Sequence, residues 1–435
     1  MGIADKIFGS ARDRFGKEVA ARVLALDSVA RTVYDAENFR VLVFRTPADD
    51  SPGVITLDMV FQETRNASAA ARRAAVGRLV EVAALPPTPD TWELARPLLR
   101  PVLRPPVHDP EIDVVRRPAL RYLAEMLVLD SPSAMKYVAP QDLAAWGVDA
   151  QQAFDAGHRN LARSVTETLD RARARARAAA ETTGRATGKT AGKTTGKPVG
   201  KPVGKPADQT AEPEATRLDD SGDFYVTSLP LVEGWLGALR QIAGARPLVF
   251  PTSNSVLLLA YESADADRTT ARLRDAEREW TESARPLCPA PITVDDDGAA
   301  TLYEVPADHP AHAAVKHAAI LLAMSSYGPQ TEYLRDVAAS GDPFPASLKG
   351  FRSPAGEEFT GTTWSDGIDS LLPHADLVFF PKEGQAMVQI PWDVVAEEVD
   401  LTPAEGFHPA RYRVGSWPAP EVMARMAARA GGALV

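Results

Sequence analysis

Six four-residue units, GRAT, GKTA, GKTT, GKPV, GKPV and GKPA, follow one another without a break from Gly184 to Ala207. Glycine and proline at this density exclude a stable helix or sheet, and no side chain in the run can build a core. The charge of the region is equally one-sided. Residues 171–205 carry Arg171, Arg173, Arg175, Arg177, Arg185, Lys189, Lys193, Lys197, Lys201 and Lys205 against Glu181 alone. That segment is +9, so the rest of a chain with total charge −10 carries −19. Like charge keeps such a chain open, and a Gly-rich coil of about 50 residues averages about 40 Å end to end. Residues 171–221 are expected to form a long disordered basic linker.

Around that linker the composition is that of a folded protein. The 435 residues are 45% hydrophobic, enough for two or three domains that each bury a core. Cys288 is the single cysteine, which rules out an internal disulfide and a multi-thiolate zinc site. The negative total argues against a chain that coats nucleic acid over its whole surface. No apolar run approaches the roughly 20 residues that span a bilayer, and no signal peptide opens the sequence. A cytoplasmic protein with no integral membrane association is expected.

Periodicity predicts an α+β fold: two mixed α/β halves of β-turn-β-α units, joined by the basic linker. Residues 1–34 read as an N-terminal amphipathic helix, with Ile3, Ile7, Phe8, Ala11, Phe15, Val19 and Val23 along one face. Asp5, Asp13 and Glu18 on the polar face favour a docked structural helix over a membrane-surface one. Residues 35–170 are expected to form the first α+β domain and 222–400 the second, followed by an extension over 401–435. Strands are predicted at Phe39–Phe44, Val54–Met59, Pro101–Arg104, Tyr122–Leu129, Pro247–Phe250, Val256–Tyr261, Phe359–Trp364, Leu377–Phe380 and Met387–Ile390. Helices are predicted from Ala67 to Ala84, Pro140 to Trp146 with Gly147 as cap, Asp149 to Asp170, Val232 to Ala243 and Asp265 to Ala284. A further long helix is expected to open at Asp308 with Pro310 just inside. Val41–Phe44 with Val54–Leu57 and Leu248–Phe250 with Val256–Leu259 echo each other as β-turn-β-α units.

Motif chemistry is sparse. Gly188-Lys189-Thr190 looks like the end of a phosphate loop, but its glycines are four apart, leaving three residues between them where the motif needs four. His309, His312 and His317 lie close in sequence, but His312 and His317 are about 140° apart on a helix and cannot face one ion. Asp295-Asp296-Asp297-Gly298 reads as a hairpin turn, since it lacks the alternate spacing and distant Glu of a calcium loop. Cys288 has no adjacent base and reads as an inert thiol. Asp366, Asp369 and Asp376 read as loop acids, and no Gly-x-Ser-x-Gly elbow is present. No catalytic residue, metal site or cofactor is assigned.

Three stretches resemble the YtpQ-like family of bacterial proteins of unknown function. The first is Arg96 to Arg104 (RPLLRPVLR). The second runs from Leu127–Asp130 through Met135–Val138 and Trp146-Gly147 to Asn160-Leu161. The third joins Trp364, Leu371–Pro373 and Asp376. They extend across most of residues 35–395, with the basic linker as an insertion. The resemblance implies a cytosolic bacterial protein of mixed α+β fold and transfers no catalytic residue or cofactor. Trp146 and Trp364 are expected to be packed aromatics.

The leading expectation is a non-enzymatic binding or adaptor protein with a protein partner. A second is weak polyanion or nucleic-acid binding through the ten basic residues of 171–205, and a third is an enzyme whose site assembles only in three dimensions. The second has a direct test. No aromatic residue lies between Arg171 and Lys205 to stack on a base, so any binding comes from counterion release alone. Single-stranded DNA should bind no tighter than about micromolar at physiological salt, and replacing the five linker lysines with glutamine should abolish it. Binding that persists in that variant at about 0.5 M salt would place recognition in the folded halves.

Overall fold

A computed structural model describes residues 10–47, 52–65, 67–83, 88–109, 112–131, 134–163, 165–166, 169–170, 173, 216–219, 225–381 and 387–431. The protein is α+β. It divides into two compact units, one of residues 1–100 and 128–156, the other of 101–127 and 157–435. This division falls elsewhere than the expected 35–170 and 222–400. The N-terminal helix belongs with the sheet that follows it, while residues 101–127 pack with the second half of the chain.

In the first unit, Ser10 caps the helix Ala11–Leu24 by accepting from the Asp13 amide, and Asp13 accepts from the Ser10 amide in return. Both would otherwise be orphan donors at the helix end. Phe15, Val19 and Val23 are fully buried on the face that the periodicity marked out. Gly16 lies where a Cβ would come within 2.1 Å of the Tyr34 ring, so only glycine permits this approach of helix to strand. The sheet is an antiparallel meander of Arg31–Asp35, Arg40–Phe44 and Gly53–Thr56. Val41 and Val43 point into its core, and Phe15, Phe39 and Phe61 meet there at 5.4–6.4 Å between ring centres. Asp58 and Met59 are not strand residues as expected. They open the helix Asp58–Thr64, because Leu57 is buried and its amide is turned to the Phe39 carbonyl. Pro140–Trp146 ends at Gly147 with φ +69°, the left-handed cap anticipated for it.

The second unit is larger. An antiparallel sheet runs Ala300–Leu302, Ile292–Val294, Pro247–Phe250, Val256–Tyr261, Thr216–Asp219 in spatial order. Trp235, Leu239, Phe250 and Leu257 fill its core beside the helices Trp235–Ala243 and Ala266–Glu282. Asp265 caps the latter as a Ser/Asp-type N-cap should. Asp295 accepts from the amides of Asp297 and Ala299, which confirms that run as a turn. A mixed sheet of Lys349–Arg352, Glu358–Thr363, Leu377–Phe380 and Val388–Pro391 and a smaller one of Phe344–Pro345, Ser370–Pro373 and Arg411–Val414 complete the unit. Residues 401–431 are therefore not an appendage: Arg411–Val414 is a sheet strand, and Met426 is fully buried in the core around Trp364, Phe380 and Trp392.

The long helix is His312–Val337. It does not start at Asp308. The His309 side chain accepts from the Ala311 amide, and Ala311 occupies the cap position. Nor does it stop at Pro329, although that proline removes an internal hydrogen bond. The next turn is held from outside. Gln330 donates to the Pro409 carbonyl at 2.9 Å and accepts from Arg411 Nε at 2.6 Å. Arg411 is completely buried, and its guanidinium also reaches Thr331 Oγ1 and the carbonyls of Ala346 and Leu371.

Removing that side chain would take the donor from Gln330 Oε1, Thr331 Oγ1 and the Ala346 carbonyl, each costing about 1–3 kcal/mol, while the Leu371 carbonyl keeps the Ala346 amide. Arg411→Ala is expected to lower unfolding stability by more than about 3 kcal/mol, read from the urea midpoint. Arg411→Lys should recover only part of it, since an ammonium cannot reproduce the planar fork. An unchanged midpoint in the alanine variant would show that Arg411 is not the clamp.

Candidate functional site

Of the ten basic residues expected to hold a polyanion, only Arg173 lies among the described residues, exposed and paired with Asp170 at 2.8 Å. Arg171, Arg175, Arg177, Arg185, Lys189, Lys193, Lys197, Lys201 and Lys205 lie outside them. Cys288 is fully buried, donates to the Ala290 carbonyl, and burial pushes its thiol up to about 12. Such a thiol carries almost no thiolate at neutral pH, in keeping with an inert role. Trp146 and Trp364 are buried, their indole N–H groups donating to the carbonyls of Pro89 and Gly415.

The three acids do not form a pair. Asp366 accepts from the Trp417 amide, Asp369 binds Arg413, and Asp376 binds Lys316 and Thr360. Nor do the three histidines meet. His309 accepts from the Ala311 amide, His312 faces the Val305 carbonyl, and His317 lies between Glu358 at 2.5 Å and Glu277 at 3.3 Å. Sequence distance hid those two partners of His317. Among the described residues no group of three or more His, Cys, Asp or Glu side chains is arranged to hold a metal ion. No described helix is long and apolar enough to cross a membrane.

A cleft of about 390 Å³ in the second unit brings together what the sequence kept apart. One wall is the end of the strand Arg116–Leu120, from Pro118 on, with Arg121 in the turn to the antiparallel strand Leu123–Ser131. The others are Tyr327 of the long helix, His374 after the strand Ser370–Pro373, and His408, Ala410 and Tyr412 leading into the strand Arg411–Val414. Tyr327 ties them together: its hydroxyl donates to the Ala410 carbonyl at 2.7 Å and accepts from the His374 amide at 3.2 Å. The ring of Tyr327 meets Tyr122 edge-on at 6.0 Å and lies 5.5 Å from the Arg411 guanidinium. Trp392 supports the far side, 4.7 Å from the His374 ring and 4.9 Å from that of Tyr412.

The electrostatics follow from this packing. Burial, then the Arg121 charge, lowers His374 to about 4. Burial and the nearby Arg411 charge bring His108, just beyond the lining, to about 4 as well. His408 is lowered by burial, although its ring also hydrogen-bonds the Leu123 carbonyl at 2.9 Å. All three imidazoles are neutral at physiological pH. Arg411 is lowered by burial to about 10 and stays charged. None of the cleft residues had been singled out from the sequence. Tyr327 and His374 are ordinary polar-aromatic residues until the fold sets them side by side.

No family model, no curated protein and no solved structure matches the chain.

The depressed histidines predict an acid-sensitive fold. Below about pH 6.5 the unfolded chain takes up protons that folded His374 and His108 refuse until about pH 4, so stability should fall as the pH drops through that window. Urea midpoints across the window should show this fall, and His374→Gln should make it shallower. An identical pH slope in the variant would show that His374 is not held neutral.

Proposed function

We propose that this protein is a non-enzymatic binding protein, and that the cleft around Tyr327, His374 and Tyr412 is its seat for a small ligand. The observation that carries this reading is the chemistry of the lining. It offers ring faces, two neutral imidazoles and one guanidinium, with no carboxylate, thiol or aliphatic hydroxyl among them. A nucleophile or a pair of acids would be needed for most hydrolytic and group-transfer chemistry. A concave, partly apolar site with a few convergent polar groups suits recognition. An adaptor role toward a protein partner is compatible with the same cleft acting as a sensor site. The resemblance to the YtpQ-like family, held as part of this proposal, adds no activity to it.

A second reading rests on the +9 segment of residues 171–205. There the protein would hold a polyanion weakly and without sequence preference, as the five-lysine substitution tests.

Ala410 stands on the cleft wall, so Ala410→Trp should fill the space without touching the Arg411 clamp. A fragment library screened by thermal shift should raise the melting temperature of the full chain, and the tryptophan variant should lose those shifts. Shifts of equal size in both proteins would place binding elsewhere and overturn the reading.

A further inference from the structure

We infer that the cleft takes a small aromatic acid: a single ring seated among the Tyr327, His374 and Tyr412 rings, with its anionic head toward Arg121. The inference rests on the cleft being a ligand seat, and it adds the charge and shape of the occupant.

The positive charge on the cleft comes first from Arg121. It is exposed in the turn after the strand Arg116–Leu120 and contributes to the lining, and among the described residues no carboxylate pairs with it. Its guanidinium lies 5.6 Å from the Tyr122 ring centre. Behind Tyr327 lies a second cation, Arg411, whose four hydrogen bonds all go to neutral oxygens. Two acids act on this neighbourhood. Asp376 is already held by Lys316, and Glu304 is exposed to solvent. The cleft therefore has a positive field that the protein itself does not neutralise. A guanidinium in that position binds a carboxylate or phosphate through paired, charge-assisted hydrogen bonds.

Shape supplies the rest. The volume of about 390 Å³ accommodates one or two rings and an acidic head, and falls short of what a polymer chain would need. Tyr412 and His374 lean on Trp392 from two sides, so their rings are braced walls. Offset and edge-on ring contacts add about 0.5–1.5 kcal/mol each beyond the buried area. Neither the His374 ring nitrogens nor the Tyr412 hydroxyl has a hydrogen-bond partner among the described residues. Both remain available to the head group. Because the imidazoles are neutral, they add donors without drawing in a second anion.

The test uses the full chain and four probes: benzoate, phenyl phosphate, benzamide and acetate. Ligand-observed NMR and calorimetry should find benzoate and phenyl phosphate bound, and benzamide and acetate each at least about tenfold weaker, as expected when a charge-assisted contact or a ring is lost. The order of benzoate and phenyl phosphate tells a carboxylate head from a phosphate head. Arg121→Gln should bring benzoate down to the level of benzamide, and Arg121→Lys should fall between. Arg121 is exposed, so both variants should fold, which circular dichroism checks. Equal affinity for benzoate and benzamide, or benzoate binding unchanged in Arg121→Gln, overturns the acid while the ligand seat stands. Probe binding that survives Ala410→Trp overturns both.

Discussion

A buried guanidinium without a carboxylate is the interaction on which the second unit depends. Taking Arg411 out of water costs several kcal/mol, and no opposite charge offsets that cost. Four hydrogen bonds do so instead, from a side chain with five N–H donors in a rigid plane. Their acceptors sit on the long helix, the strand Ser370–Pro373 and the segment at Ala346. A plane that satisfies all three at once fixes their spacing. The helix continues past Pro329 because this clamp and the Gln330 contact hold the turn that follows it.

The cleft is a by-product of the same arrangement. With Arg411 turned inward, its neighbours along the strand, Ala410 and Tyr412, face the opposite side, as alternation in a strand requires. Tyr327 then bridges the Ala410 carbonyl and the His374 amide, so the cleft walls inherit the rigidity of the clamp. The buried positive charge also acts outward. It helps to keep His108 neutral and leaves the cleft with a field suited to an anion. The stability of the unit and the shape of the cleft are thus coupled through one residue.

The first unit is built by more local rules. A capped helix lies on a three-stranded meander, with glycine at the point of closest approach and three phenylalanines at the centre. Its helix and meander follow one another in sequence and the buried helix face was legible, although the strand Arg31–Asp35 was read as part of that helix and Asp58 and Met59 as strand. The second unit joins residues far apart: Ser326 to Tyr122, His408 to Leu123, Arg411 to Thr331.

Local and long-range contacts differ in how far they can be read from a sequence. Period-2 and period-3.6 patterning set the α+β class, the buried face of the first helix, the strands Pro247–Phe250, Val256–Tyr261 and Leu377–Phe380, and the turn at Gly298. Capping chemistry located the glycine stop at Gly147. These are local preferences, and they act whatever the chain does elsewhere. The short strands Arg116–Leu120, Lys349–Arg352, Ser370–Pro373 and Arg411–Val414 escaped detection, as did Arg31–Asp35 at the end of the expected helix and Thr216–Asp219 at the end of the expected linker. So did the true start of the long helix, the unit boundaries and the cleft. A four-residue strand with charged or mixed side chains is stabilised by its neighbours in the sheet more than by its own propensity. Arg411 illustrates the limit: in sequence it is one arginine beside another at Arg413, the first fully buried and the second exposed. The fold alone selects the one that clamps, because burial of a charge depends on acceptors supplied by residues 40 to 81 positions away.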